Sequence, residues 1–201
     1  MEIDMGTEVR HERASTDADL EEVLILDAAQ QVFETVGLRR SSLDAIAQSA
    51  GVSRSTVYRR FRDKETLVLA VLNRVLESNL QELDAATVGQ TPQDAVVAAF
   101  AMCARLDHEG SLIHRVMTED LAVVRNLNSI QSWTVEGSSR RVAGALRRAG
   151  ATMPEADLLD VSELLVRVAH SFVDRPSRTL SAHDPEAVAR FARKYLAPMV
   201  F

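Results

Sequence analysis

The chain has 201 residues, 46% of them hydrophobic, and a formal net charge of −6. This composition excludes an intrinsically disordered chain and leaves room for one large domain or two smaller ones. Glycine and proline are scarce and no stretch alternates as a strand does, so an all-α protein is predicted. A single cysteine excludes an internal disulfide. No apolar run has the length of a membrane span or signal peptide, and we expect a cytoplasmic protein.

Residues 1–18 hold more acidic than basic side chains and are predicted to form a disordered tail. The first predicted helix spans about Asp19–Thr35. Its apolar residues recur at helical spacing, and Gly37 follows its end.

Two short helices joined by a tight turn are predicted between Ser41 and Lys64. In the first, the apolar residues share one helical face, with Ser41 as the predicted N-cap and Gly51 as the stop. Ser53 is the predicted N-cap of the second. This spacing is typical of a helix-turn-helix.

The stretch from Leu38 to Lys64 is basic, although the chain as a whole is acidic. It holds seven basic and two acidic residues, a net charge of +5. Such a local patch indicates a surface that binds a polyanion. In the second helix, Val57 and Phe61 are predicted to pack inward and to leave polar side chains for a partner. The alternative is a solvated, arginine-rich hairpin without a partner.

The stretch LDAIAQSAGVSRSTVYRRFRDKETL resembles the DNA-binding signature of the TetR (tetracycline repressor) family of bacterial transcription regulators. The resemblance covers about residues 20–80. It implies a helix-turn-helix DNA-binding domain of three helices over residues 19–79 and a helical effector-binding and dimerisation domain over residues 80–201. Arg59 stands where the family often has histidine, and arginine would keep a phosphate contact.

The predicted DNA-binding residues belong to the second helix and its flanks: Arg40, Ser42, Ser53, Arg54, Ser55, Thr56, Tyr58, Arg59 and Lys64. The three expected nearest the base edges are Arg54, Ser55 and Thr56. Those expected at phosphates are Ser42, Tyr58, Arg59 and Lys64, the last because the resemblance implies it.

Further helices are predicted along the rest of the chain, at about Asp63–Leu83, Pro92–Asp107, Ser111–Asp120, Leu127–Ala149, Pro154–Val173 and Asp184–Leu196. The helix over residues 154–173 is apolar almost all round and must be covered on more than one side. With the final segment, residues 184–199, it predicts a four-helix homodimer interface. The alternative is a core helix buried within one chain.

The resemblance also implies an effector site among the C-terminal helices. The predicted lining residues are mostly apolar, with two possible polar anchors: Phe100, Cys103, Met117, Trp133, Leu164 and Phe172, with Glu163 and His170. Each of them is also explained by ordinary core packing. No two histidines stand at metal-ligand spacing and no catalytic motif is present, so we expect no metal, no cofactor and no enzyme activity.

Together these features predict a homodimeric repressor that binds a palindromic operator and is released by a small, largely hydrophobic effector. Two alternatives stay open: an activator of the same fold, and a helical ligand-binding or scaffold protein whose helix-turn-helix makes protein contacts.

Overall fold

The computed structural model describes residues 5–106, 111–119, 134–174, 177, 180–181 and 184–201. Every regular element within these ranges is helical, which confirms the predicted all-α class. The chain divides into two compact units, one ending at Val71 and the other beginning at Leu72. In chain order the helices are α1 (Met5–Val36), α2 (Leu43–Ala50), α3 (Arg54–Arg60), α4 (Lys64–Ala86), α5 (Pro92–Leu106), α6 (Leu112–Glu119), α7 (Val135–Arg148), α8 (Glu155–Asp174) and α9 (Pro185–Phe191).

In the first unit, α1 packs against α2, and α2 packs against α3. Gly51 ends α2 in the left-handed region at φ 68°, and its N–H bonds to the carbonyls of Ala47 and Gln48. The glycine thereby turns the chain sharply into α3. The core of this unit consists of apolar side chains that are at most 1% exposed: Ile25, Ala29, Phe33, Leu38, Ile46, Val57, Leu67, Val68 and Val71.

In the second unit, α7 packs along α8, and α5 packs against both α9 and the turns that follow it. After Phe191 the helix continues as a π-helical turn (Ala192–Leu196) and a 3₁₀ turn (Ala197–Met199). Arg141 of α7 pairs with Glu77 at 2.9 Å and with Asp84 at 3.3 Å, both on α4. These ion pairs fasten the C-terminal half of α4 to α7.

Three details differ from the sequence-based expectations. Helix α1 begins at Met5, within the predicted disordered tail, because this stretch lacks proline and contains good helix formers such as glutamate and arginine. The first unit ends at Val71, inside α4, rather than at residue 79. Helix α7 begins at Val135, where Thr134 caps it, rather than at Leu127; residues 127–133 lie outside the described residues.

The N-cap of α2 is also one residue later than predicted. Ser42 accepts the N–H of Ala45 at 3.1 Å, whereas the hydroxyl of Ser41 donates to the carbonyl of Leu38 at 2.7 Å. The predicted cap Ser53 is confirmed, and Asp63, where the fourth helix is predicted to begin, caps α4; each accepts the N–H of the residue three positions later. None of the helices in the described ranges combines the length and hydropathy that crossing a bilayer requires.

Candidate nucleic-acid interface and ligand cavity

The N-terminal turn of α3 is held by a small hydroxyl network. Ser53 Oγ accepts the N–H of Thr56 at 3.1 Å and lies 2.8 Å from Ser55 Oγ and 2.9 Å from Thr56 Oγ1. Thr56 is only 9% exposed, so the structure corrects the expectation that it faces a base edge. It lies beside Val57 on the buried side of the helix and belongs to the cap.

The opposite side of α3 is exposed and polar. The side chains of Arg54 and Arg59 are 72% and 66% exposed, and Tyr58 is 51% exposed. Ser55 is exposed between them. These are hydrogen-bonding and cationic groups on a helix narrow enough for a DNA major groove.

Two further predicted residues lie before α3 in the chain. Arg40 is exposed in the turn that follows α1. Ser42 is exposed at the start of α2, whose first N–H groups point outward as in any helix. Both are therefore accessible to a polyanion.

Lys64 occupies a different environment from the one expected of a phosphate contact. Its Nζ donates to the carbonyl of Leu38 at 2.6 Å and lies 3.3 Å from that of Ser41. The ammonium therefore ties the start of α4 to the turn between α1 and α2. Its role in the structure is to hold that turn in place.

Acidic residues of neighbouring helices partly neutralise the basic hairpin. Glu21 of α1 pairs with Arg59 at 3.3 Å, and Glu22 of α1 pairs with Arg60 at 3.2 Å. These two carboxylates lower the local charge from the +5 counted along the hairpin to +3. The patch stays positive, but less so than the sequence count indicates.

The second unit contains an apolar cavity of about 120 Å³. Its walls come from α4, α5, α7 and α8, with Leu80, Phe100, Val142 and Leu165 among the lining residues, and from Leu196 of the π-helical turn. None of the described lining residues is acidic, lysine or arginine; the polar ones are Thr87, Cys103, Ser138 and His170. The cavity therefore suits an apolar molecule rather than an ion.

Cys103 contributes a buried thiol to this wall. The residue retains some exposure, but its thiol is buried. Burial raises the pKa of the Cys103 thiol to about 11, because the thiolate would lose its hydration.

The structure brings some of the predicted lining residues together and separates others. Phe100, Cys103 and His170 line the cavity. Phe172 packs edge-on against Phe100, with ring centroids 5.5 Å apart. Trp133 lies outside the described residues, as does the side chain of Met117.

Glu163 and Leu164 face away from the cavity. Glu163 pairs with Arg167 at 2.7 Å on the exposed side of α8, and Leu164 is 51% exposed. Helical periodicity explains this correction, because the inward positions of α8 are Leu165, Val166 and Ala169.

Sequence reasoning missed the lining residues on α4 and α7. They include Leu76, Leu80, Ser138 and Val142. A partial signal was available, because α7 is amphipathic and has small residues at the positions facing its neighbours. Nothing local shows that these positions border a cavity rather than a packed core.

Helices α8 and α9 also present an exposed surface. On α8, Leu159 is 37% exposed beside the exposed acids Asp160 and Glu163. On the final helical segment, Tyr195 is 56% exposed beside exposed basic residues at positions 190, 193 and 194. The two surfaces are therefore mixed apolar and charged, and their charges are of opposite sign.

A capped α2, a left-handed glycine turn and an outward-facing α3 define a helix-turn-helix regulator. A family model of bacterial regulatory proteins, tetR family, matches residues 25–71. An uncharacterised helix-turn-helix transcriptional regulator of Mycobacterium bovis is 31% identical over 168 residues, which cover 82% of this chain and 86% of that protein. The chain belongs to the TetR family of bacterial transcription regulators.

Solved structures share the fold. A TetR-family regulator from Streptomyces coelicolor is similar with a TM-score of 0.65 and 21% identity, over 90% of this chain and 96% of that one. The TetR family repressor AlkX from Dietzia sp., implicated in the biodegradation of n-alkanes, is similar with a TM-score of 0.63 and 18% identity. That match covers 88% of this chain and 93% of AlkX.

Proposed function

We propose that this regulator is a ligand-responsive repressor whose homodimer binds a palindromic operator and is released by a small, uncharged, largely hydrophobic effector. The observation that carries the proposal is the polarity of α3. Its apolar side is buried, whereas Arg54, Tyr58 and Arg59 are exposed on a hairpin, residues 38–64, whose net charge is positive.

In the DNA complex, α3 enters the major groove. Arg54 and Ser55, in its first turn, are nearest the base edges, where a guanidinium can bind guanine through two hydrogen bonds. Tyr58, Arg59 and Ser42 contact phosphates, and Arg40 adds a cation at the edge. Because these contacts release counterions, the affinity falls steeply as salt is added.

A homodimer supplies two such helices to successive major grooves, about one helical turn apart or a multiple of it. The mixed surfaces of α8 and the final helix support this assembly. In a two-fold dimer the acidic face of α8 meets the basic face of the partner's final helix, and the same contact recurs on the other side. The exposed apolar residues Leu159, Leu164 and Tyr195 are then covered.

The cavity in the second unit is the proposed effector site. Apolar cavities of roughly this size are dry and hold molecules about as large as benzene. A charged ligand would lose its hydration without gaining a counter-charge from the described walls. The similar repressor AlkX is implicated in the biodegradation of n-alkanes, which agrees with a hydrophobic ligand.

Helix α4 offers a route from the cavity to the DNA-reading unit. It begins at Lys64 in the first unit, and its later residues Leu76, Leu80 and Leu83 line the cavity. An effector acts through α4 if it binds more tightly to the state of the dimer that no longer fits adjacent grooves.

DNA binding is tested by a gel shift with the region upstream of the chain's own gene and with a scrambled duplex of equal length. We expect a complex of two or more chains on the first duplex only, at moderate salt. A monomer at micromolar concentration in sedimentation, or equal binding to both duplexes, would contradict the proposal.

Effector chemistry is tested with toluene and benzoate, which have similar size but different charge. We expect toluene to raise the melting temperature of the full chain and to weaken the gel shift, and benzoate to do neither. Ala99→Leu narrows the cavity and is expected to abolish the toluene response, whereas Ala85→Leu, at an exposed position of α4, is the matched control. An equal response to benzoate would contradict an uncharged effector.

A further inference from the structure

Every arginine of α3 forms an ion pair with an acidic residue of α1 or α2. Arg54 Nη1 lies 3.1 Å from Asp44, Arg59 Nη2 lies 3.3 Å from Glu21, and the third pair joins Arg60 and Glu22 at 3.2 Å. The helix proposed to read DNA is thus held next to carboxylates, which repel phosphate.

The three pairs differ in exposure. The Arg60 side chain is 23% exposed, so its pair with Glu22 lies partly within the fold. Arg54 and Arg59 are largely exposed, and their acidic partners are about two-fifths exposed. Exposed ion pairs contribute little to stability. Stability therefore does not account for carboxylates placed beside the two arginines that face outward.

We propose that Asp44 and Glu21 are specificity-determining residues, which lower the affinity for arbitrary DNA more than the affinity for the operator. The inference rests on the proposed function, in which the exposed side of α3 meets DNA. Asp44 also acts as a positioning residue for Arg54.

The reason is that an arginine contributes differently to the two kinds of complex. On an arbitrary duplex the guanidinium serves only as a positive charge near phosphates, and a neighbouring carboxylate cancels much of that charge. On the operator, the guanidinium of Arg54 also donates hydrogen bonds to a base edge, and its geometry matters.

The geometry of the Arg54 pair allows both contacts together. The pair with Asp44 engages Nη1, and a guanidinium carries further N–H donors on its other nitrogens. The carboxylate can therefore stay in place and fix the orientation of the fork while the remaining donors bind a base. Its charge weakens binding to any duplex, but the orientation that it gives the guanidinium favours the matching one.

The test uses the full chain and two duplexes of equal length: one selected by the wild-type chain from a random pool, and a scrambled version of it. Fluorescence anisotropy over a range of salt concentrations yields both affinities and the salt dependence. The variants are Asp44→Asn and Glu21→Gln. The control is Glu136→Gln, which makes the same change of charge at an exposed position of α7.

We expect each of the two variants to bind the scrambled duplex about three- to tenfold more tightly, with a salt dependence steeper by about one counterion. The affinity for the selected duplex rises less, so the specificity ratio, the affinity for the selected duplex divided by that for the scrambled one, falls. The control leaves the ratio unchanged. Asp44→Asn in an Arg54→Gln background should no longer change the ratio, because the carboxylate acts through that arginine.

An unchanged ratio in both variants, or an equal effect of Glu136→Gln, overturns the inference while the proposed function stands. Circular dichroism excludes unfolding as the cause of any loss. A wild-type chain that binds neither duplex at low salt overturns the proposed function and this inference with it.

Discussion

The two units of this regulator place their proposed binding groups in opposite ways. The unit that ends at Val71 buries the apolar side of the short helix α3 and exposes arginine and tyrosine. The unit that begins at Leu72 does the reverse, since its helices line an apolar cavity and expose charge. Recognition of a polyanion needs groups that are accessible and hydrated, whereas an apolar ligand needs a dry wall.

The two units also differ in how far apart in the chain their proposed binding residues lie. Those of the first unit fall mostly within one hairpin, where caps and a glycine turn set the geometry. The cavity of the second unit is assembled from four helices and the π-helical turn after α9, so its shape depends on packing between residues as far apart in the chain as Leu76 and Leu196. The first kind of site follows from local rules, and the second from tertiary structure.

The largest expected effect is a loss of stability in the first unit alone. Phe33 is fully buried in α1, and Phe33→Ala should lower the free energy of unfolding by about 3–5 kcal/mol through lost burial and a residual cavity. Hydrogen exchange measured by mass spectrometry should then accelerate, relative to the wild-type chain, more in peptides of α1–α3 than in peptides of α7 and α8. Val36→Ala, at a position 45% exposed, should change little. Equally fast exchange in both units would contradict two separate cores.

A smaller effect tests whether the Cys103 thiol is buried in the cavity wall. With the pKa of the Cys103 thiol raised to about 11 by burial, the thiolate fraction near pH 8 is about 100-fold lower than in the unfolded chain. Alkylation by iodoacetamide, followed by mass spectrometry, should accelerate with pH up to about 11 in the native chain. In urea, the alkylation rate should stop rising with pH near the ordinary thiol pKa. A native profile that levels off at that same value would contradict the buried thiol.

The smallest effect concerns the cap that begins α4. The N–H and then the hydroxyl of Thr66 lower the pKa of the Asp63 carboxyl, with a further contribution from Arg62. Asp63→Ala should cost about 1 kcal/mol of stability at neutral pH. A lowered pKa means that the charge-dependent part is present above the unfolded pKa of about 3.9 and is lost as the pH falls through the folded value.

Urea unfolding at pH 7 and pH 3 tests this prediction. The difference between wild type and Asp63→Ala should shrink at pH 3, and Asp63→Asn, which keeps an accepting oxygen, should be the milder change. A difference that grows on acidification would contradict the cap.

Much of the first unit was predictable because its signals are local. Gly51, Ser53 and Asp63 end or begin helices where the sequence indicates. The failures arise from contacts across the fold: Thr56 turns inward beside Val57, and Lys64 bonds to a carbonyl 26 residues earlier in the chain. No pattern within one helix shows either contact.

Less of the cavity was predictable. Phe100, Cys103 and His170 line it, but so would many apolar residues at helical spacing. Glu163 and Leu164 share the apolar context of α8 yet lie on its exposed side. Which side of such a helix borders a cavity depends on its neighbours, because the helix carries apolar residues on several sides.

The central claim is that the exposed side of α3 is the DNA-binding surface, and one titration tests it most directly. Anisotropy of a duplex selected by the wild-type chain is measured at moderate salt with Arg54→Ala, Tyr58→Ala and the matched variant Arg140→Ala of α7. We expect each change in α3 to weaken binding at least about tenfold, through loss of a base or phosphate contact, and Arg140→Ala to leave it within about twofold. Unchanged binding by Arg54→Ala and Tyr58→Ala would contradict the assignment of α3 as the reading helix.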